Sequence, residues 1–570
     1  MSVNHSEISS FIWNVCDDVL RGLFKPHEYG DIILPFTVLR RLDCVLEEHK
    51  DEVINLYNEY KSKVDDPSPI ILGKINTSFF NHSNYDLSRL KQDHSNIKMN
   101  FNNYISGYSE NVLEIIENFQ LEKPVEKLQK NNRLFQFIEK FSEIDLHPNV
   151  ISNHQMGQIF EELLRKFSEM SNETSGEHYT PRDVVQLLVS LVFSPDSDKL
   201  IGEGKVRSIF DPCCGSGGML TVGKDWVHEN INSDVQFRLL GQELNPQTYS
   251  ICKSDMMITG GNPENIRQGS SISEDRFKGE RFDYMLTNPP YGVSWSSESE
   301  FVNNEKQNPD GRFSVGTPRS SDGQLLFLQH MISKMEPSGS RIGVVLNGSP
   351  MFTGDSGSGE SEIRKWIIEN DMLECIVSLP DTMFFNTGIT TYIWILTNKK
   401  TEKRRGKIQL INGESFYTVM RKKLGEKRKE ITQNHRLQLL ELYSEFENNE
   451  YSHIYKNNFF GYTKVIVEQP QVKDGKVITN NKGKPKPDTS KRDYERIPLT
   501  GNIEDYFEKE VKPYLPDSWM DRKKDKVGYE INFTKYFYRY KKLRTLTEIS
   551  NEIKKIESEV EGLQSEILGG

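Results

Sequence analysis

The fold of this chain is decided by the stretch Ser208-Ile209-Phe210-Asp211-Pro212-Cys213-Cys214-Gly215-Ser216-Gly217-Gly218. The apolar run that begins at Val206 predicts a β-strand, and the glycines that follow it predict a tight turn that opens a helix. Glycine carries no Cβ, so the backbone of this turn can approach a bound nucleoside closely. Such turns occur in many folds, and a purely structural turn is the alternative.

The next predicted strand, Phe237 to Glu243, ends in a carboxylate. Glu243 follows Gly217 by 26 residues, near the place where a doubly wound fold offers a carboxylate to ribose hydroxyls. No GxxxxGK[ST] motif occurs in the sequence, so an ATP-binding P-loop is not supported. Together, the glycine turn and Glu243 favour a nucleoside cofactor over a structural turn.

From Thr180-Pro181 onward, short β-rich runs alternate with helical patterns. This alternation predicts a mainly parallel sheet with helices on both faces, and ligands of such sheets bind beyond the carboxyl ends of the strands. The predicted strands are Val206 to Phe210, Phe237 to Glu243, Phe282 to Thr287, Arg341 to Leu346, Leu373 to Leu379, Thr391 to Thr397 and Lys407 to Asn412.

The predicted strand Phe282 to Thr287 runs directly into Asn288-Pro289-Pro290-Tyr291. Prolines end the strand and stiffen the turn. An exocyclic amine is a poor nucleophile because its lone pair is delocalised into the ring. The Asn288 side-chain oxygen and the Pro289 carbonyl can each accept one N–H, which favours a pyramidal nitrogen, and Tyr291 can stack on a base. These residues predict methylation of an amine or amide nitrogen by a sulfonium donor.

The regions that flank this α/β part are predicted to be mainly helical. Apolar residues recur at helical spacing within residues 1–165. Near the C-terminus a 3.5-residue apolar repeat predicts a helix with a narrow seam, which packs on the chain's own body or on a partner helix. The repeat positions are Leu546, Ile549, Ile553, Ile556, Val560, Leu563 and Ile567.

Three segments are predicted to be irregular. Glu305 to Gly323 and Thr353 to Glu360 are rich in Gly, Ser and Asp, and each is either a lid or a plain solvated loop. Gln471 to Ser490, which contains KGKPKPDTS, is interpreted as a linker that precedes the last segment of the chain.

Composition restricts the function in three ways. The net charge of −11 argues against a stand-alone electrostatic clamp, so any DNA that the chain handles requires a local basic surface or a basic partner. The six cysteines form no CxxC pair and no zinc-ligand spacing, which predicts no metal site and fits a reducing cytoplasm. The apolar runs are too short for a membrane span, and no signal peptide is visible.

The order of the motifs resembles that of the γ-class adenine methyltransferases. Gly176 to Pro181 resembles their pocket segment, Asp211 to Gly217 their cofactor motif, and Asn288 to Tyr291 their catalytic motif. The resemblance covers nearly the whole chain, which is similar to the methyltransferase (M) subunit of type I restriction-modification systems. The segments Leu379 to Ile389 and Gly528 to Ile531 are similar to later motifs of the same family.

This resemblance implies an α/β, Rossmann-like, S-adenosylmethionine-dependent methyltransferase core at residues 166–465. A helical domain (residues 1–165) would precede it, and a linker with a helical tail (residues 466–570) would contact a specificity (S) subunit. The implied reaction methylates the N6 amine of adenine in double-stranded DNA. The implied partners are the S subunit, which reads the DNA sequence, a second M subunit and an optional restriction (R) subunit. If the S subunit makes the base-specific contacts, the acidic net charge of this chain is not in conflict with a DNA substrate.

The resemblance also implies a set of site residues. The pocket segment Glu177, His178, Tyr179 and Thr180 would lie near the methionine end of the cofactor. Asp211, Gly215, Ser216 and Gly217 would line the cofactor, and Glu243 would hold the ribose. Where the family often has an acidic residue that faces the cofactor's adenine amine, Ser270 or Ser271 would have to serve. Phe385 or its neighbour Phe384 would sandwich the flipped base against Tyr291, unless both pack in the core.

Other interpretations remain open at this stage. A protein methyltransferase that acts on a glutamine side-chain amide could use the same Asn288 chemistry, because an amide nitrogen has the same delocalised lone pair. A non-catalytic assembly subunit with a vestigial site is the second alternative. Cys213 and Cys214 are interpreted as small turn residues, since adjacent cysteines bridge only with strain.

Overall fold

The computed structural model describes residues 11, 14–171, 180–385, 387–473, 475–538 and 545–568. The chain forms two units, Met1–Ile531 and Asn532–Gly570. Among the described residues, no helix has both the length and the apolar character that a membrane span requires.

The described N-terminal region is helical, as predicted, and its apolar side chains form one core. The buried Arg41 guanidinium donates to the carbonyl of Ile151 (2.9 Å) and to Asn153 Oδ1 (2.8 Å), so it joins the first long helix to the last. Glu114 accepts from Lys253 Nζ at 2.7 Å and so connects these helices to the α/β part. The helices are Gly30–Leu46, Lys50–Tyr60, Ser68–Ile75, Leu87–Leu90, Ile97–Ser106, Glu110–Asn118, Glu122–Lys130, Leu134–Ser142 and Asn153–Ser171.

A nine-stranded sheet forms the centre of the α/β part. The first eleven strands of the chain are β1 (Val206–Asp211), β2 (Gln236–Glu243), β3 (Ile266–Gln268), β4 (Tyr284–Thr287), β5 (Arg341–Asn347), β6 (Leu373–Ser378), β7 (Thr391–Thr397), β8 (Lys407–Asn412), β9 (Thr418–Leu424), β10 (Lys427–Glu430) and β11 (Ser452–Lys456). The strand order in the large sheet is β11-β8-β6-β7-β5-β4-β1-β2-β3. β9 and β10 pair separately. The helices are Arg182–Phe193, Ser197–Leu200, Gly218–Asn230, Pro246–Ile258, Ser299–Gln307, Gln324–Ser333, Ser349–Phe352, Gly359–Glu369 and Gln433–Glu445.

The predicted Rossmann-like α/β fold is confirmed, and the sheet is parallel through β3, β2, β1, β4 and β5. β7 and β11 run antiparallel to their neighbours, which the sequence pattern did not distinguish. β4 is shorter than predicted, because the Phe282 N–H donates to the Lys334 carbonyl (3.0 Å) outside the sheet ladder. Since β1 and β4 are parallel neighbours, their carboxyl ends meet at one edge of the sheet.

The segment Gln471 to Ser490 is not a linker. It connects β12 (Gly461–Glu468) to an antiparallel neighbour, and it folds back on itself through cross-strand hydrogen bonds that satisfy its own backbone groups. The start of the predicted C-terminal part, residue 466, therefore falls inside β12. The remaining strands are β13 (Val472–Lys473), β14 (Lys476–Val477), β15 (Asp493–Pro498), β16 (Trp519–Met520) and β17 (Lys526–Tyr529), and a short helix spans Ile503–Tyr506.

Each of the two segments predicted to be lids or solvated loops is held by one arginine, the half-buried Arg312 or the buried Arg364. Arg312 donates to the carbonyls of Ser271 (2.7 Å) and Ile272 (2.6 Å), which fastens residues 305–323 to the chain after β3. Arg364 donates to the carbonyls of Thr353 (2.7 Å) and Tyr529 (2.7 Å), which joins residues 353–360 to the end of β17. Neither segment is a free loop.

The second unit contains the helices Phe533–Tyr536 and Leu546–Leu568. The second of these confirms that the 3.5-residue repeat lies on a helix. At its seam positions, Leu546, Ile553, Ile556 and Val560 are 86%, 52%, 55% and 46% exposed.

Candidate active site

Asp211 and Thr287 meet where β1 and β4 end side by side. The Thr287 hydroxyl donates to Asp211 Oδ1 at 2.6 Å, and the Cys213 N–H donates to the same oxygen at 2.9 Å. Burial raises the pKa of Asp211 to about 7, and these two hydrogen bonds only partly oppose the effect. Thr287 was missed by the sequence analysis, although a polar residue at a buried strand end was the available signal.

The glycine turn has the backbone that its sequence predicts. Gly215 and Gly217 have φ values of 52° and 86°, in the left-handed region that L side chains rarely adopt. A Cβ on Gly217 would lie 2.8 Å from Cys252 Sγ, so there is also no room for a side chain at this position. The turn opens the helix Gly218–Asn230, whose first N–H groups can face a ligand.

Glu243 lies across the same turn at the end of β2. Its carboxylate accepts from the N–H groups of Gly215 and Asn245, both at 2.9 Å. These contacts hold the carboxylate beside the glycine turn. The arrangement fits the predicted ribose contact.

A carboxylate that the sequence did not reveal contacts the segment after β3. The hydroxyls of Ser270 and Ser273 both donate to Glu298 Oε1, the latter at 2.7 Å, so an acidic side chain lies beside the serine that was predicted to replace the family's acidic residue. Ser271 is buried and donates to the Pro212 carbonyl at 2.7 Å, which is a structural role. Glu298 could not be found from spacing, because it lies 28 residues beyond Ser270 in sequence, at the end of a short 3₁₀ helix after the catalytic motif.

Asn288 is the point at which the catalytic and pocket motifs meet. Its side-chain amide donates to Thr180 Oγ1 at 2.9 Å, and its Oδ1 accepts from the Tyr291 hydroxyl. The predicted residues Glu177, His178 and Tyr179 lie outside the described residues. Pro289 is buried and Pro290 is half-buried, as expected for a stiff turn.

The aromatic residues divide into core and candidate site residues. Tyr291 is buried, which raises the pKa of its hydroxyl, and its ring centroid lies 6.4 Å from that of Phe384 in an edge-on arrangement. Phe384 is fully buried and belongs to the core, so it cannot stack on a base without leaving that core. Phe385 is 8% exposed, and its role in the base sandwich stays a prediction.

An ion pair missed by the sequence analysis positions the segment that carries Thr180. Asp183 accepts from Lys427 Nζ at 3.0 Å and from the Ile431 N–H at 2.8 Å. Lys427 also donates to the Met383 carbonyl at 3.1 Å. The pair therefore joins the start of the helix Arg182–Phe193 to the loop that carries Phe385.

Ser216 and the cysteines of the glycine turn are the remaining residues for which the sequence predicted a role. Ser216 lines a cavity of about 100 Å³ whose other walls include Arg182 and Asp255, and whose lining does not include Asp211 or Asn288. Cys214 packs directly against β2: a Cβ on Gly241 would lie 2.8 Å from Cys214 Sγ, so position 241 requires glycine. Among the described residues, no cluster of three or more histidine, cysteine or acidic side chains could hold a metal ion.

The family models and the curated relatives described here agree on one family. The sequence model described as N-6 DNA Methylase matches residues 151–469, and the model described as HsdM N-terminal domain matches residues 8–141. The chain is 26% identical over 493 residues to the type I restriction enzyme MjaIX methylase subunit of Methanocaldococcus jannaschii, an alignment that covers 83% of each chain. It is 32% identical over 285 residues to the type I restriction enzyme EcoEI methylase subunit of Escherichia coli, covering 48% of this chain and 52% of that one.

The fold also matches a solved structure. The crystal structure of the type I restriction-modification system methyltransferase subunit from Streptococcus thermophilus aligns with a TM-score of 0.64 at 22% sequence identity. The alignment covers 80% of this chain and 96% of that chain, so the two share a fold.

Proposed function

The chain belongs to the N-6 DNA methylase family, and we propose that it methylates adenine N6 in DNA through Asn288-Pro289-Pro290-Tyr291. As a member of this family it is an S-adenosylmethionine-dependent, adenine-specific DNA methyltransferase, the catalytic subunit of a type I restriction-modification system. The main support for this site is the position of Asn288, which follows β4 and forms hydrogen bonds with Thr180 and Tyr291.

The residues at the strand ends fit the cofactor. The glycine turn leaves space for a nucleoside, and Glu243 lies where two ribose hydroxyls can donate to it. Asp211 offers a buried carboxylate for a cationic group. When bound, S-adenosylmethionine supplies an electrophilic methyl group on a sulfonium.

The proposed reaction uses Asn288 as an acceptor. In the structure its Oδ1 already accepts one hydrogen bond, from the Tyr291 hydroxyl. The adenine amine would replace that hydroxyl and donate its second N–H to the Pro289 carbonyl, so its lone pair would point away from both acceptors. Tyr291 would then stack on the extruded base, with Phe385 opposite. The amine nitrogen loses a proton during or after attack, and no general base is required.

The division of the chain and its partners are part of the proposal. Residues 1–165 would form a helical domain, and the tail helix Leu546–Leu568 would contact a specificity subunit that reads the DNA sequence. A second copy of the chain would join the same complex, and a restriction subunit would be needed only for cleavage.

The experiment that tests this function follows a labelled methyl group. The full chain, assembled with its specificity subunit, is incubated with labelled S-adenosylmethionine and duplex DNA. The label is expected on adenine N6. Label on a protein glutamine amide would instead identify the first alternative, and S-adenosylmethionine binding without any transfer would identify the assembly subunit.

We expect cofactor affinity to rise with pH up to about 7 and then to level off, because of Asp211. Burial raises the pKa of this carboxyl to about 7, so at pH 6 the free protein holds it mostly protonated. A cationic ligand binds the ionised form of Asp211, so binding below pH 7 releases a proton. The affinity for the ligand therefore falls by up to tenfold for each pH unit below 7. Calorimetric titration with S-adenosylmethionine between pH 6 and 8 measures this. Asp211→Asn should bind weakly at every pH, and a flat profile for the parent protein would contradict the assignment.

Glu298 is expected to accept a hydrogen bond from the adenine amine of the cofactor. Glu298→Leu should raise the Kd for S-adenosylhomocysteine about 10- to 100-fold, as for a lost hydrogen bond to a charged group. The exposed neighbour variant Glu300→Leu is the matched control. S-inosylhomocysteine, which lacks the amine, should bind the parent protein weakly and lose nothing further in Glu298→Leu. Equal losses for both ligands in that variant would show that Glu298 has only a structural role.

A further inference from the structure

A basic segment of this acidic chain, here called the basic arm, spans residues 471–491. It contains six lysines and two aspartates, whereas the chain as a whole has a net charge of −11. All six lysine side chains are exposed, and among the described residues none forms an ion pair. The lysines are Lys473, Lys476, Lys482, Lys484, Lys486 and Lys491.

The basic arm is an ordered structure. The N–H of Gln471 donates to the Lys486 carbonyl, and the Lys486 N–H donates to the Ile478 carbonyl, both at 2.8 Å. At the tip, the Asn480 side chain accepts from the N–H groups of Lys482 (2.9 Å) and Lys484 (3.1 Å). The backbone positions from which the lysine side chains extend are therefore fixed before any partner binds, which lowers the entropic cost of binding.

The cations at the root of the basic arm differ from those on it. Arg492 pairs with Glu468 at 2.7 Å, and Lys464 pairs with Asp355. These charges are used within the fold, whereas the lysines of the arm extend beyond it into solvent. A cluster of like charges without partners destabilises the free protein slightly, and an anionic partner relieves this repulsion.

The strands that carry the basic arm are attached at the catalytic edge of the sheet. Asp355 lies in the segment that follows β5, and the carboxyl end of β5 is at the same edge as that of β4, which bears Asn288. Asp355 accepts from Tyr462 (3.1 Å) in β12 and from Arg496 (3.3 Å) in β15. The arm connects β12 to β15, and both strands are attached through Asp355 to the sheet edge that carries Asn288. DNA would approach this edge under the proposed function.

We propose that the basic arm binds the phosphate backbone of the DNA duplex whose adenine enters the active site. This inference rests on the proposed function and adds a contact surface to it. The match to the N-6 DNA Methylase family model ends at residue 469, just before the arm. Lysines on an extended backbone bind phosphates as point charges and carry no base specificity.

The test compares the salt dependence of DNA binding between charge-removing and charge-keeping variants. The complex with the specificity subunit is titrated onto a duplex between 50 and 200 mM salt. Lys482→Gln/Lys484→Gln/Lys486→Gln should flatten the log–log slope by about 2.7, so the parent complex loses roughly 40-fold more affinity over this range. Lys482→Arg/Lys484→Arg/Lys486→Arg should keep the parent slope.

Two further readouts separate the possible failures. A matched triple variant on the helical region, Lys61→Gln/Lys91→Gln/Lys123→Gln, removes the same charge from other exposed positions and should keep the parent slope. An unchanged slope in the glutamine variant of the arm would overturn the proposal. If that variant also assembled poorly with the specificity subunit while its slope stayed unchanged, the arm would instead bind an acidic protein partner. Methyl transfer by that variant at saturating DNA should equal the parent rate, and absence of transfer in the parent would instead reject the proposed function.

Discussion

Replacing Asn288 with alanine is expected to lower the rate of methyl transfer to adenine by about 10³-fold. One preorganised acceptor or donor aimed at the charge that develops in a transition state contributes on the order of 10²- to 10³-fold. Asn288 also links the catalytic turn to Thr180, so its loss removes the alignment of two motifs as well as the acceptor. Single-turnover assays with saturating DNA measure the rate directly.

The controls for Asn288→Ala separate chemistry from folding. The Kd for S-adenosylmethionine should change far less than the rate, because Asp211 and Glu243 lie at the ends of β1 and β2 and do not depend on the Asn288 side chain. Tyr291→Phe keeps the stacking ring and removes only the hydroxyl that donates to Asn288, so it should retain most activity. Tyr291→Ala should weaken binding of the extruded base by about 1–3 kcal/mol. Full activity in Asn288→Ala would show that this mechanism is wrong.

Removal of the tail, residues 545–570, is expected to release the specificity subunit while cofactor affinity stays unchanged. The helix Leu546–Leu568 repeats apolar residues every 3.5 positions, and its described seam side chains include four that are exposed. An exposed seam of this kind stabilises an association by about 2 kcal/mol for each large side chain that it buries. Size-exclusion chromatography with light scattering measures the assembly, and calorimetry measures the cofactor affinity.

A pair of double substitutions tests whether the seam itself makes the contact. Ile553→Ser/Ile556→Ser changes two seam positions and should raise the Kd for the specificity subunit close to 10³-fold, from about 4 kcal/mol of lost burial. Asn551→Ser/Lys554→Ser changes two positions away from the seam and should have little effect. Loss of cofactor binding in the truncated chain would mean that the helix packs on the chain's own body, which is the other interpretation of the repeat.

The local features of this protein were predictable because they depend on neighbouring residues. The strand, turn and helix around Asp211 follow from an apolar run and from glycines at left-handed positions. The turn at Asn288 follows from two prolines at a strand end, and the tail helix follows from its 3.5-residue period. The order of these motifs was sufficient to identify the family, which is confirmed by the match over residues 151–469.

The tertiary structure decided which of these features lie together. The contact of Asp211 with Thr287 depends on the order of strands in the sheet, which no local pattern specifies. Glu298 contacts Ser270 across 28 residues of chain, from a short 3₁₀ helix on the other side of β4, so no spacing rule could have found it. The pair Asp183 and Lys427 spans 244 residues, and both side chains read as ordinary surface charges in the sequence.

The basic arm shows the same division most clearly. Its composition, rich in lysine, proline and glycine, is that of a linker, and the sequence alone favoured that interpretation. The structure closes it into hydrogen-bonded turns between two paired strands, because β12 and β15 are neighbours in a sheet that only the folded chain assembles. Composition determined the charge of this segment, and long-range strand pairing decided that the charge is held on an ordered surface.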